Sequence, residues 1–107
     1  MPAEDTVKLD EILSCRGKTR ILMLLAETNE LNITEIMKNV GLNHSGINSH
    51  LKQLEEAGLV KQKRFGRIRI YKYRDEDPRA QALKALIQVW NDEAGRRSVK
   101  VNGGPDK

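Results

Sequence analysis

The feature that most constrains this chain is that its apolar period changes and then changes back. Up to Gly58 the large apolar residues recur every three or four positions. From Leu59 to Tyr73 period two takes over, and after Pro78 the helical spacing returns. A chain of 107 residues written this way is about one domain, mainly α-helical, with one β-hairpin set into it.

The first helix is predicted from Val7, carrying Leu9, Ile12 and Leu13 and ending at Arg16-Gly17. The second runs from about Lys18 to Glu27 and is rich enough in leucine to be central to the core. Thr28 to Glu30 is polar and reads as a loop. Asn32 or Thr34 is placed to cap a short third helix from Glu35 to Val40, which Gly41 stops. Asn43 caps a fourth helix over His44 to Ala57, with Ile47, Leu51 and Leu54 on one stripe and Gly58 at its end. Strands at Leu59–Phe65 and Arg67–Tyr73 flank a turn at Gly66. Asp77 and Pro78 then open a last helix, as N-cap and first helical residue, that reaches about Asp92. Residues 1–6 are expected to be flexible, residues 7–93 to form the folded domain, and residues 94–107 to be a disordered tail.

Charge is distributed as unevenly as hydropathy. The net charge is +4, yet residues 1–60 hold six basic side chains against nine acids, and residues 75–107 hold six of each. The segment Lys61–Arg74 holds seven basic side chains and no acid. Cations gathered this way suit a polyanion, nucleic acid first. The plainer reading is a solvated hairpin whose lysines and arginines blunt its edges.

Several classes are excluded or disfavoured. The longest apolar run, Ile21–Ala26, is far short of the ~20 residues that cross a bilayer, so no membrane role is expected. The N-terminus is acidic and lacks a signal peptide's apolar core, which predicts a cytoplasmic protein. The single cysteine, Cys15, cannot form an internal disulfide or a cysteine-rich zinc site. His44 and His50 fall on different faces of one helix without an obvious carboxylate partner, so no metal is assigned. There is no Ser/His/Asp grouping and no phosphate-cradling glycine loop, so neither catalytic residues nor a cofactor are expected.

A short helix, a glycine turn and a longer helix describe a helix-turn-helix. Its second helix must project its first turns into a groove about 12 Å wide. Ile36, Val40, Leu42, Ile47 and Leu51 would form the apolar seam that braces it. Asn43, His44, Ser45, Gly46, Asn48 and Ser49 then lie on the free face as candidate contacts to bases and phosphates, and Lys52 one turn on as a phosphate contact. Lys63, Arg64, Arg67 and Arg69 of the hairpin would grip phosphate as a wing. An ordinary solvated helix face is the plain alternative.

Residues 42–60, LNHSGINSHLKQLEEAGLV, resemble the recognition helix of the ArsR-type winged helix-turn-helix regulators, whose pattern is S-x-H-L-K-x-L-x-x-A-G-L-V. Lys52, Leu54, Ala57, Gly58, Leu59 and Val60 match closely, Ser49-His50-Leu51 approximately. Arg64, Gly66, Arg67 and Tyr71 match the family's R-x-G-R-x-x-x-Y wing, and the resemblance covers about residues 8–92. It implies a mainly α fold with a two-stranded wing, a structural role for His50 at the helix-turn-helix seam, and dimerisation through the first and last helices. The chain departs from the family at Met37, where a small residue is usual, and at Gly46, where Ser or Thr is usual. The paired cysteines of the family's metal sensors are absent from Thr34–Lys38, and the last helix has no histidine, which disfavours metal sensing. Cys15 reads as a small buried apolar residue, with a redox role as the alternative.

The last helix spreads Ala80, Ala82, Leu83, Ala85, Leu86, Ile87, Val89 and Trp90 over more than one face, more than a monomer covers with a single stripe. Leu9, Ile12, Leu13, Leu83, Leu86, Ile87 and Trp90 are therefore the candidate homodimer interface, unless the helix is simply buried in the core. The expected function is sequence-specific regulation of transcription on double-stranded DNA. An architectural DNA binder of low specificity and a winged-helix protein-interaction module are the competing readings. Operator, direction of regulation and any small-molecule effector are left open.

Overall fold

Helix ends in this chain are chemically marked, and the backbone changes course at those marks. The structure, a computed structural model, describes residues 7–103, with side chains to residue 96. The order is α1 (Leu9–Leu13), α2 (Arg16–Thr28), β1 (Glu30–Asn32), α3 (Ile33–Val40), α4 (His44–Glu56), β2 (Val60–Phe65), β3 (Ile68–Tyr73) and α5 (Pro78–Gly103). The expected residues 1–6 lie outside the described residues.

The corner between α1 and α2 is closed by side chains of the second helix. Lys18 donates from Nζ to the Glu11 carbonyl at 3.2 Å, and Thr19 from Oγ1 to the Ile12 carbonyl at 3.1 Å. These are end carbonyls that a five-residue helix cannot satisfy itself, and an ammonium is favoured at a helix C-terminus. Lys18 is consequently buried, at 7% exposure. The corner also explains why α2 starts at Arg16, two residues earlier than the sequence predicts: the second helix caps the first.

Asn32, one of the two expected caps, begins α3 by accepting from the Glu35 amide at 2.8 Å. Gly41 ends it at φ 78°, a left-handed conformation that costs other residues roughly 1–2 kcal/mol. Asn43 opens α4 by accepting from the Gly46 amide at 2.7 Å. Ile36 of α3 and Ile47, Leu51 and Leu54 of α4 are fully buried against Ile21, Leu22 and Leu25 of α2. α2 is thus the central helix.

The hairpin forms in the register Val60↔Tyr73 to Phe65↔Ile68, as predicted in kind, but it belongs to a three-stranded antiparallel sheet of order β1-β3-β2. The sequence predicts two strands and a loop over Thr28–Glu30. Glu30–Asn32 instead pairs with Lys72, Tyr71 and Ile70. The reason is tertiary: three residues with one apolar side chain show no period, yet β3 has an edge whose backbone groups need partners. Directly paired residues share a face of a sheet. Val60, Tyr71 and Tyr73 point to the helices and are buried, while Lys61, Phe65 and Ile68 on the other face are exposed.

Asp77 caps α5 as expected, its Oδ1 accepting from the Arg79 and Ala80 amides at 2.8 and 3.1 Å. Arg79 reaches back to the Ala57 carbonyl at 2.8 Å, fastening α5 to the end of α4. Tyr73, fully buried, donates its hydroxyl to the Ala80 carbonyl at 2.6 Å. Burial, followed by the charges of Asp75 and Asp77, pushes its phenol up to about 12. α5 continues to Gly103, well past the predicted end near Asp92. Most of the stretch 94–107 expected to be disordered is therefore helical, and residues 104–107 lie outside the described residues. Gly95 weakens a helix without breaking it, and after Pro78 the next proline is residue 105.

Candidate nucleic-acid interface

α4 presents its first two turns to solvent. Asn43, His44, Ser45, Ser49 and Lys52 are exposed, and Gly46 and Asn48 are half-buried. The opposite side of the helix, Ile47, Leu51 and Leu54, is fixed in the core, so the polar face has no rotational freedom. Asn43 uses its side-chain oxygen as the N-cap, leaving its amide nitrogen for outward contacts. Gly46 has a packing reason: a Cβ there would lie 3.3 Å from Asn43 Oδ1 and crowd that cap.

Asn48 and Arg69 stand together, a relation invisible in the sequence. Asn48 Nδ2 lies 2.8 Å from His44 Nδ1 and 3.1 Å from the His44 carbonyl, while its Oδ1 accepts from Arg69 at 2.8 Å. The same guanidinium donates to the Tyr71 hydroxyl and sits 5.6 Å from the Tyr71 ring centroid. Among the described residues Arg69 Nε is buried without a partner. One arginine of β3 therefore braces the hairpin against α4 through the side chain singled out for reading bases.

The other wing cations divide into paired and unpaired ones. Lys63 Nζ lies 3.3 Å from Glu30 of β1, and Arg74 pairs with Glu76 at 2.9 Å. Among the described residues no carboxylate pairs with Arg64 or Arg67, which are exposed at the hairpin's outer end. Lys61 and Lys72, paired across the strands, add cations to the outer face that the sequence-level site set omits. Their signal was present in the charge count; only the sheet register shows where they point.

His50 occupies the seam between α2 and α4. Its Nε2 is 3.8 Å from Cys15 Sγ, and a Cβ on Gly17 would approach that nitrogen to 3.0 Å. Burial, and secondarily the Lys18 charge, holds its pKa below the usual histidine value. A neutral imidazole packed against a glycine serves helix apposition. Cys15 is half-buried. Among the described residues no three His, Cys, Asp or Glu side chains gather into a possible metal site.

α1 and α5 leave several large apolar side chains exposed. Leu9, Leu13, Leu86 and Trp90, all in the expected interface set, are 58%, 44%, 53% and 70% exposed, and Val89 joins them at 61%. Ile12 and Ile87 of that set are instead buried in the protomer's own core, and Leu83 is half-buried against it. An apolar groove of about 320 Å³ runs between α1 and α5, lined by Leu9, Ile12, Leu59, Leu83 and Leu86. Among the described residues no helix is long and apolar enough to cross a membrane.

This geometry has known counterparts. The family model described as bacterial regulatory protein, arsR family, matches residues 15–62, which span α2 to the start of the wing. An uncharacterized HTH-type transcriptional regulator of Bacillus subtilis (strain 168), YuzN, is 34% identical over 90 residues, covering 76% of this chain and 92% of the relative. A homodimeric winged helix-turn-helix DNA-binding domain from Mycobacterium bovis, from a possible ArsR-family transcriptional regulator, superposes with a TM-score of 0.63 at 32% identity. It covers 78% of this chain and 74% of that one. The transcriptional repressor PagR of Bacillus anthracis shares the fold, with a TM-score of 0.64 at 23% identity over 81% of this chain and 97% of that one.

Proposed function

Because the chain belongs to the ArsR family of bacterial regulatory proteins and is a winged helix-turn-helix transcriptional regulator, we propose that it binds duplex DNA as a homodimer with α4 in the major groove and the β2–β3 wing on phosphates. One observation carries this reading. The exposed polar turns of α4 and the acid-free hairpin are held in fixed relation by the Arg69–Asn48 brace. Asn43, His44, Ser45 and Ser49 face the base edges, and Lys52, Arg64 and Arg67 the backbone. Asn48 shares its amide between the brace and the groove. A cytoplasmic location follows from this role.

The homodimer brings two such units together through α1 and α5. Exposed Leu9, Leu13, Leu86, Val89 and Trp90 form the contact, with Trp90 as the aromatic anchor. Ile12 and Ile87 support it from beneath. Selection of bound sequences from a random duplex pool tests the proposal. A two-fold repeated motif with half-sites about 34 Å apart is expected. Binding without enrichment would replace sequence-specific regulation by architectural binding, which the single lysine of α4's free face would then explain.

A further inference from the structure

The wing ends in two large apolar side chains that the fold leaves in water. Phe65, the chain's only phenylalanine, is 59% exposed and Ile68 is 55% exposed. They face each other as the last pair of the β2–β3 ladder, on the sheet face turned away from the helices. Gly66 and Arg67 make the turn between them, and Arg64 precedes them. A cross-strand contact uses part of this surface, but more than half of each residue's surface is uncovered. Polar residues would make the same turn.

We propose that Phe65 and Ile68 form an apolar wedge that enters the minor groove beside the α4 contact, opens a base step and bends the duplex. The inference rests on the duplex-binding reading above and adds residues that shape the DNA. Charge complementarity identifies the occupant. The apolar pair lies within the seven-cation segment, with Arg64 before it and Arg67 in its turn, and among the described residues no carboxylate engages either arginine. An apolar protein surface has no need of those flanking cations; a polyanion's groove does.

Size agrees. The minor groove is about 6 Å wide, and two strands are already about 4.8 Å apart before side chains are added. The ribbon therefore stays outside while the tip side chains descend. Phenylalanine and isoleucine are among the residues that insert between base steps, kinking DNA by about 20–90°. Guanidiniums alongside suit the negative potential of a narrow minor groove. Arg69, bonded to Asn48, keeps the hairpin from swinging away when its tip is loaded.

The test uses a duplex recovered by selection, carrying 2-aminopurine at successive steps outside the α4 contact and a fluorophore pair at its ends. Wild type is expected to brighten 2-aminopurine at one step per half-site and to shorten the end-to-end distance. Phe65→Ala with Ile68→Ala should abolish both signals and weaken binding about 5- to 150-fold, the range for losing an aromatic–base stack. The slope of log affinity against log salt should stay unchanged, since no cation is lost. Phe65→Leu should restore most of the bend. A double variant that bends, brightens and binds like wild type overturns the wedge and leaves duplex binding standing. Wild type without salt-dependent duplex binding removes both. A double variant that changes only the association state shows the tip to be a protein contact and also overturns the wedge.

Discussion

Removing Arg69 separates two roles that a wing arginine can have. On phosphate, it would act independently of Asn48 and contribute about 0.9 to the salt slope. The geometry makes it a brace: its bond to Asn48 Oδ1 is 2.8 Å, charge-assisted and half-buried. Such bonds contribute about 1.5–3 kcal/mol. Against this stands the buried, unpartnered Nε, whose desolvation costs about 1–3 kcal/mol. The guanidinium's bond to the Tyr71 hydroxyl adds to the favourable side, so Arg69→Ala should destabilise the DNA-free protein by about 1–3 kcal/mol. Asn48→Ala alone should cost a comparable amount, because it leaves the guanidinium half-buried with fewer partners.

The pair is therefore expected to be non-additive. In a urea-unfolding double-mutant cycle on the DNA-free protein, Asn48→Ala and Arg69→Ala should couple by about 1–2 kcal/mol, well above the ~0.5 kcal/mol within which independent sites add. The single variants should weaken DNA binding to similar extents, since each releases the same contact. Additive stabilities, with a salt-slope loss on Arg69→Ala alone, would refute the brace and make Arg69 a phosphate contact.

Other perturbations test the remaining parts. Leu86→Glu with Trp90→Glu, at positions 53% and 70% exposed, should leave the protomer folded and make it monomeric by sedimentation; a wild type already monomeric at micromolar concentration contradicts the interface. Tyr73→Phe removes the bond to Ala80 and should cost about 1 kcal/mol. Folding also favours the protonated Tyr73 phenol, so wild-type stability should hold below pH 10.0 and fall as pH rises toward about 12, a decline that the phenylalanine variant lacks. Gly17→Ala places a Cβ 3.0 Å from both His50 Nε2 and Leu42 Cδ1. The crowding costs about 1–3 kcal/mol and exceeds the ~0.5–1 kcal/mol helix gain. Gly95→Ala, with open space around it, should instead raise the melting temperature.

The helix-turn-helix and the wing were legible because their signals are local. Asn32 and Asn43 cap, Gly41 stops a helix, and apolar spacing changes period within a few residues of where the backbone does. The free face of α4 follows from the same spacing, once Ile47, Leu51 and Leu54 are placed inside. What was not legible depends on residues distant in sequence. β1 exists because β3 offers it an edge, and Arg69 meets Asn48 across twenty-one positions. Charge alone put Arg69 among the free wing cations; the register turns it toward the helices beside buried Tyr71. Similarly, Ile12 lies one turn on from Leu9, and Ile87 one turn from Leu83 and Trp90, and only packing shows that they are already covered.

The central claim is that α4 and the basic wing together hold duplex DNA, and the salt dependence of affinity tests it most directly. Wild type and Arg64→Ala with Arg67→Ala are titrated on the selected duplex and on a scrambled one across a range of monovalent salt. Wild type should show a steep linear fall of log affinity with log salt on both duplexes, with tighter binding to the selected one. The variant should lose affinity for both alike, and its slope should flatten by about 0.9 for each phosphate contact removed, about 1.8 for the pair. A slope identical to wild type would take the wing off the DNA, and a wild type whose affinity ignores salt would contradict the account as a whole.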